Sequence, residues 1–289
     1  MHDRSSILLH MNKLTTAERV RVVAALVEGN SIRATVRMTG IAKNTIVKLL
    51  VDLGAACAAY SDRTLRNLTC KRIQCDEIWS FVYAKQKNVP AAKAAPEWAG
   101  DVWTWTAIDA DTKLVATWLV GSRDIGAATE FIRDLAGRLS SRVQLTTDGH
   151  KPYLSAVEDA FGGEIDYAVL QKIYGADMQA QTRYSPAICT GIKKTAISGC
   201  PDEAHVSTSY VERQNLTMRM SRRFTRLTNG FSKKAQNLAA AVAVHFMHYN
   251  FARIHQTLRI TPAMAAGVSD HVWEIEEIVA LLDAPAIAA

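Results

Sequence analysis

Cysteine is scarce and unpaired in this sequence. There are five, Cys57, Cys70, Cys75, Cys189 and Cys200, an odd number with no CxxC pair. That argues against a disulfide framework and a Cys-rich zinc module, and leaves free thiols that mostly pack. No apolar run approaches the ~18 uninterrupted residues a bilayer span requires, so no membrane partner is expected. The opening "MHDRSSILLHMNKL" lacks a basic flank followed by an apolar segment of signal length, which points to the cytoplasm. Internal repeats are also absent. What is present is ordinary globular composition, 48% apolar and 21% charged over 289 residues, enough for one large core and a small satellite domain. Lys and Arg number 34 against 28 acids, a net charge of +6 that tilts the expected partner toward nucleic acid.

From Leu14 the chain divides into three helical pieces. Thr15 or Thr16 caps the first, with Glu18 in its first turn and Val20, Val23, Ala24 and Val27 on one face, ending at Gly29-Asn30. Ser31 caps the second, which stops at Gly40, where positive φ permits a tight turn. Lys43-Asn44-Thr45 opens the third, with Ile46, Leu49 and Leu50 inward. This is a helix-turn-helix pattern, in which first-turn side chains of the third piece reach base edges or phosphates. Lys43, Asn44, Thr45 and Lys48 are the DNA-binding candidates; the alternative is a three-helix packing module whose Lys, Asn and Thr are plain capping and surface residues.

Residues 55–69 read as a helical connector. Beyond it, "KRIQCDEIWSFVYAK", "DVWTWTAID" and "KLVATWLV" have strand composition, the last two joined as a hairpin. "GAATEFIRDLAGRL" is an amphipathic helix, "VQLTT" a short strand, "PYLSAVEDAF" a helix and "DYAVLQKIY" a further strand. The order predicts an α/β arrangement with a mixed sheet. The stretches 86–100 and 175–205 lack sustained periodicity and read as insertions or mobile loops.

Acidity is the scarce quantity in "TSYVERQNLTMRMSRRFTRLTNGFSKK", residues 208–234, where Glu212 stands alone among seven lysines and arginines. A helix started by Ser207, Thr208 or Ser209 puts Glu212, Asn215, Arg219, Arg222, Arg223 and Arg226 on one stripe. Tyr210, Leu216, Met220, Phe224 and Leu227 fall on the neighbouring face. A carboxylate inside a cationic stripe conflicts with simple phosphate attraction, and a metal ion would resolve the conflict. Phosphodiester chemistry often uses two divalent cations held by carboxylates. Asp76, within the first strand, and Asp148, ending "VQLTT", complete a candidate triad at strand ends of an open sheet. Each acid also has a plain reading: Asp148-Gly149 is a common turn pair, Asp76 can mark a strand edge, with Glu77 a competitor on the opposite face, and Glu212 can be a solvated ion-paired residue. His150 and His255 read as surface or supporting residues, the latter on a helix. Trp79, Trp103, Trp105, Trp118 and Tyr153 read as packing.

The blocks "CDEIWSFV", "TTDGHKPY" and "YVERQNLTMRMSRRFTRLTNGFSKK" resemble those of DDE transposases from bacterial insertion sequences, most nearly the insertion-sequence-one family, over roughly residues 70–234. The tail "HYNFARIHQTLRITPAMAAG" is similar to the segment closing many related cores. The resemblance implies a ribonuclease H-like fold in which Asp76, Asp148 and Glu212 bind two Mg²⁺ (or Mn²⁺) ions. It also implies Arg219 on the DNA backbone or scissile phosphate, and Arg213, Asn215, Arg222, Arg223 and Arg226 of the same basic segment are further DNA-binding candidates, the partner being double-stranded DNA, both element ends and target. The expected layout is a helix-turn-helix domain at 1–54, a helical linker at 55–69, a catalytic domain at 70–266 and a C-terminal tail at 267–289. A homodimer or higher oligomer, nucleoid-associated, is expected. The rivals are a transcriptional regulator with an α/β sensor domain and a non-transposing nuclease of the same fold.

Overall fold

The computed structural model describes residues 13–175, 188–221, 223–224 and 230–284. Among the described residues three helices come first: α1 (Thr16–Val27), α2 (Ile32–Thr39) and α3 (Lys43–Thr64). The expected stops hold. Thr15 and Glu18 form a reciprocal capping box, Ser31 Oγ accepts from the Ala34 amide, and Gly40 ends α2 at φ 73°. One feature differs: α3 runs without a break through residue 54, so the third piece and most of the expected linker are a single helix. Gly54 sits where α3 crosses α7 (Ala235–Met247) so closely that a Cβ there would lie 2.5 Å from the Ala240 Cα. The helices therefore share one hydrophobic core with the rest of the chain.

The remaining elements are β1 (Arg72–Val82), β2 (Gly100–Asp109), β3 (Val115–Gly121), α4 (Ile125–Ala136), β4 (Gln144–Thr147), α5 (Pro152–Phe161), β5 (Asp166–Gly175), β6 (Ile188–Ser198), α6 (Ser209–Met220), α7, a π-helical turn at His248–Ala252, α8 (Pro262–Ala265) and α9 (Ile275–Ala280). The strands form one mixed sheet in the order β3-β2-β1-β4-β5-β6. β1 is antiparallel to β2, which is antiparallel to β3, while β4 lies parallel to β1 and β5 parallel to β4. This six-stranded α/β arrangement, flanked by helices, is compatible with a ribonuclease H-like fold.

Two expectations are corrected. The 175–205 stretch contains a strand, β6, paired antiparallel with β5 along its length. As an edge strand it is paired on one side only and carries no burial alternation for a sequence pattern to reveal. The basic helix stops at Met220, where Ser221 turns extended, so Glu212 and Arg223 do not share one continuous helical stripe. Val211, Gln214, Asn215 and Met218 form its buried face, and Tyr210, Leu216 and Met220, expected on the apolar face, are exposed. Leu227 lies outside the described residues. Among the described residues no helix is long and apolar enough to cross a membrane.

Candidate active site

Strand register brings Asp76 and Asp148 together. In the parallel β1–β4 pair Cys75 lies opposite Thr147, so the next residue of each strand, Asp76 and Asp148, falls side by side where β4 ends and β1 continues. Pleat alternation then gives Asp76 and Glu77 opposite faces. On the first face Gln74 and Asp76 meet α6. The Gln74 Oε1 accepts from the Tyr210 and Val211 amides at 2.8 and 3.2 Å, and Asp76 Oδ2 accepts from Asn215 Nδ2 at 2.8 Å. On the second, Glu77 meets α5 and the end of β3: Tyr153 Oη donates to Glu77 Oε2 at 3.1 Å and Arg123 Nε to Oε1 at 2.6 Å.

Because β4 stops, the two faces communicate around its end. One carboxylate oxygen each from Asp76, Glu77 and Asp148 lie within 4.8 Å of one another. The His150 amide donates to Asp148 Oδ1 at 2.9 Å, and Arg123 approaches Oδ2 at 3.9 Å. Burial raises the Asp76 pKa to about 7, with the Glu77 and Asp148 charges adding to it. Burial, then Asp148, likewise raises Glu77, against the Arg123 pairing. Three partly buried carboxylates with one arginine among them repel one another, and hard oxygen donors at this separation suit a divalent cation.

Glu212 lines the same cleft, of about 1060 Å³, with Asp76, Asp148, Arg123, Lys172 and Thr208. It stands outside the 4.8 Å group. Its Oε2 pairs with Lys172 Nζ at 2.5 Å and its Oε1 accepts from Thr208 Oγ1 at 2.7 Å. The structure thus brings two of the three expected acids into contact and the third into the same cleft.

Of the basic candidates, Arg213 is exposed and Arg219 half-buried on α6, while Lys43, Asn44 and Lys48 are exposed and Thr45 half-buried on α3. Lys48 pairs with Asp52 at 2.6 Å. Asn215 departs from its expected surface role: it is 8% exposed and holds Asp76. Arg223 also departs from it. It is 7% exposed, against Leu26, Leu50, Val244 and His245, where burial lowers its pKa to about 10. Arg222 and Arg226 lie outside the described residues. His255 sits in a turn, not a helix, its amide donating to the Ile260 carbonyl at 2.9 Å. Tyr153 and Trp105 are buried, Tyr153 with its hydroxyl committed to Glu77. Sequence reasoning missed Gln74, Arg123 and Lys172. A glutamine inside the apolar "RIQCDEIW" and a lysine inside "YAVLQKIY" are the signals that could have found two of them; nothing local marks Arg123.

A transposase family model of the insertion-sequence-240 group, described as a DDE domain, matches residues 99–179. That stretch runs from β2 through β5 and contains Asp148; Asp76 and Glu212 lie outside it. Among solved structures, the chain is similar to one chain of a cryo-EM piggyBac transposase synaptic complex with hairpin DNA. It shares 11% identity with it at a TM-score of 0.28, over 90% of this chain and 57% of that one. A TM-score of that size does not establish a shared fold. No curated protein matches the sequence. The family match, which takes in β4 and Asp148, supports a DDE transposase of an insertion sequence.

Proposed function

We propose that the chain is a DNA transposase that cuts strands at the ends of an insertion sequence and joins them to target DNA. The observation that carries this reading is the meeting of Asp76 and Asp148 at the ends of adjacent parallel strands, with Glu212 across one cleft and a DDE-domain match spanning Asp148. Asp76, Asp148 and Glu212 would hold two Mg²⁺ or Mn²⁺ ions. Bound there, such ions activate the attacking oxygen and stabilise the leaving one. Asn215 orients Asp76, and the His150 amide orients Asp148. Arg123 keeps Glu77 neutralised so that it does not compete with them. Arg213 and Arg219, on the helix that carries Glu212, serve as phosphate contacts.

Lys43, Asn44, Thr45 and Lys48 at the start of α3 read the element ends, in the manner of a recognition helix. Residues 1–54 make the DNA-reading part, joined over 55–69, mostly by the continuation of α3, to the catalytic part at 70–266, with 267–289 the tail. Two ends must be held at once, so the working form is a dimer or larger assembly on double-stranded DNA, at the nucleoid. The motif blocks further ally the chain with the insertion-sequence-one family.

The test incubates purified protein with DNA carrying the element's ends in Mg²⁺. The wild type should nick and join, and Asp148→Ala should do neither. Cleavage that persists in the variant overturns the enzymatic reading. DNA binding with no nicking by the wild type favours a regulator, and nicking without joining a nuclease.

A further inference from the structure

The β5–β6 ribbon extends past the end of β4. β4 pairs with β5 only from Asp166 to Val169, whereas β5 continues to Gly175 with β6 as its partner. Leu170, Gln171, Lys172, Ile173 and Tyr174 line the cleft from this projecting arm. Alternation along β5 decides which of them faces α6. Ala168 and Leu170 pack against Val206, in the segment leading into α6, so Lys172 points to the same side. Its ammonium ends on Glu212 Oε2 at 2.5 Å. The other oxygen, Oε1, is held by Thr208. Both acceptor atoms of Glu212 are thus engaged while it stands apart from the three-acid group.

We propose that Lys172 is a positioning residue for Glu212: its ammonium stands in for a cation on Oε2 and holds the carboxylate apart from Asp76 and Asp148 until metal enters. This rests on the reading of the cleft as a metal-dependent phosphodiester site. An ammonium and a divalent ion compete for the same oxygen atom, so metal binding displaces Lys172. The freed cation remains on the cleft wall beside the site, where a DNA phosphate becomes its next partner. Lys172 therefore ties assembly of the third ligand to the arrival of metal and DNA together.

The experiment uses the full chain and Mn²⁺ as the probe, with free Mn²⁺ read by electron paramagnetic resonance without DNA. Lys172→Met should bind Mn²⁺ at least about threefold more tightly, the size set by losing a half-exposed ion pair. Lys172→Arg, which keeps the charge, should stay near wild type. In a Glu212→Gln background most of the gain from Lys172→Met should vanish, because the lysine acts through that carboxylate. On a metal-loaded DNA duplex, Lys172→Met should lower the slope of log affinity against log salt by about one. Lys172→Gln gives the same readings should the methionine variant fail to fold. Unchanged or weaker Mn²⁺ binding in Lys172→Met, or a gain that survives in Glu212→Gln, overturns the proposal. So does an unchanged salt slope. The site reading fails separately, when wild type and Asp148→Asn bind Mn²⁺ equally weakly.

Discussion

Asp76 and Glu212 face one cleft but are held in opposite ways. Asp76 belongs to the central strand, is mostly buried, and is fixed by register against β4 and by Asn215. Glu212 rides a helix, with a side chain 38% exposed, and is tied to a lysine on a projecting arm. The strand-borne acid cannot change rotamer without breaking its bond to Asn215 in a buried setting. A helix-borne side chain needs only to change rotamers and partners. One side of the site is therefore preassembled, and the other is adjustable.

The comparison breaks most sharply at the strand pair. Asp148→Ala should reduce end cleavage by more than the roughly 10–100-fold that losing even an outer partner of a metal ligand costs. A gel assay of labelled element ends would measure it, and a smaller loss would place the chemistry elsewhere. Next in size, Asn215→Ala should weaken Mn²⁺ affinity by about tenfold, since Asp76 loses its fixed orientation. Titration calorimetry would read this, with a circular dichroism spectrum like that of the wild type showing that α6 has kept its fold.

The acidity of Asp76 supplies a third test. Its folded pKa, about 7, lies above the unfolded carboxylate value near 4, so the native state holds the extra proton between those limits. The contribution of Asp76 to metal-free stability should therefore fall as pH rises from about 4 to about 7 and level off above. Asp76→Asn should remove most of that decline and be the more stable protein at pH 8. Melting temperatures across pH would show whether the buried side of the site carries this strain, and Mn²⁺ should relieve it in the wild type.

Smaller effects separate the basic residues. Arg213→Ala should lower the salt slope of DNA binding by about one with little change in melting temperature. Arg223→Ala should do the reverse, because its side chain packs under α1, α3 and α7. Lys48→Ala should also lower the slope by about one, while the lost exposed pair with Asp52 costs no more than about 0.5 kcal/mol. Denaturant melts beside binding isotherms would read both quantities.

Much of the fold was legible locally. The Thr15–Glu18 box, Ser31 and Gly40 announced the helix ends because capping and positive φ are decided within four residues. The β2–β3 hairpin, α5 and β5 were equally plain, since each carries its own periodicity and turn chemistry. The end of α6 was not: residues 221–226 continue a helical pattern with no Gly or Pro to stop it. β6 was missed for want of a burial pattern. Arg223, legible only as a basic surface residue, is buried by helices from both ends of the chain.

By itself, the sequence determined that Asp76, Asp148 and Glu212 would be the carboxylates to examine, and that strands and helices would deliver them to one cleft. Only the tertiary structure decided that Glu77 joins the first two, that Asn215 and Gln74 serve the strand instead of solvent, and that Lys172 holds Glu212. The reason is physical. Periodicity records which side of an element is buried, whereas a hydrogen bond between Asn215 and Asp76, 139 positions apart, exists only once the β1–β4 register and the seat of α6 have been set.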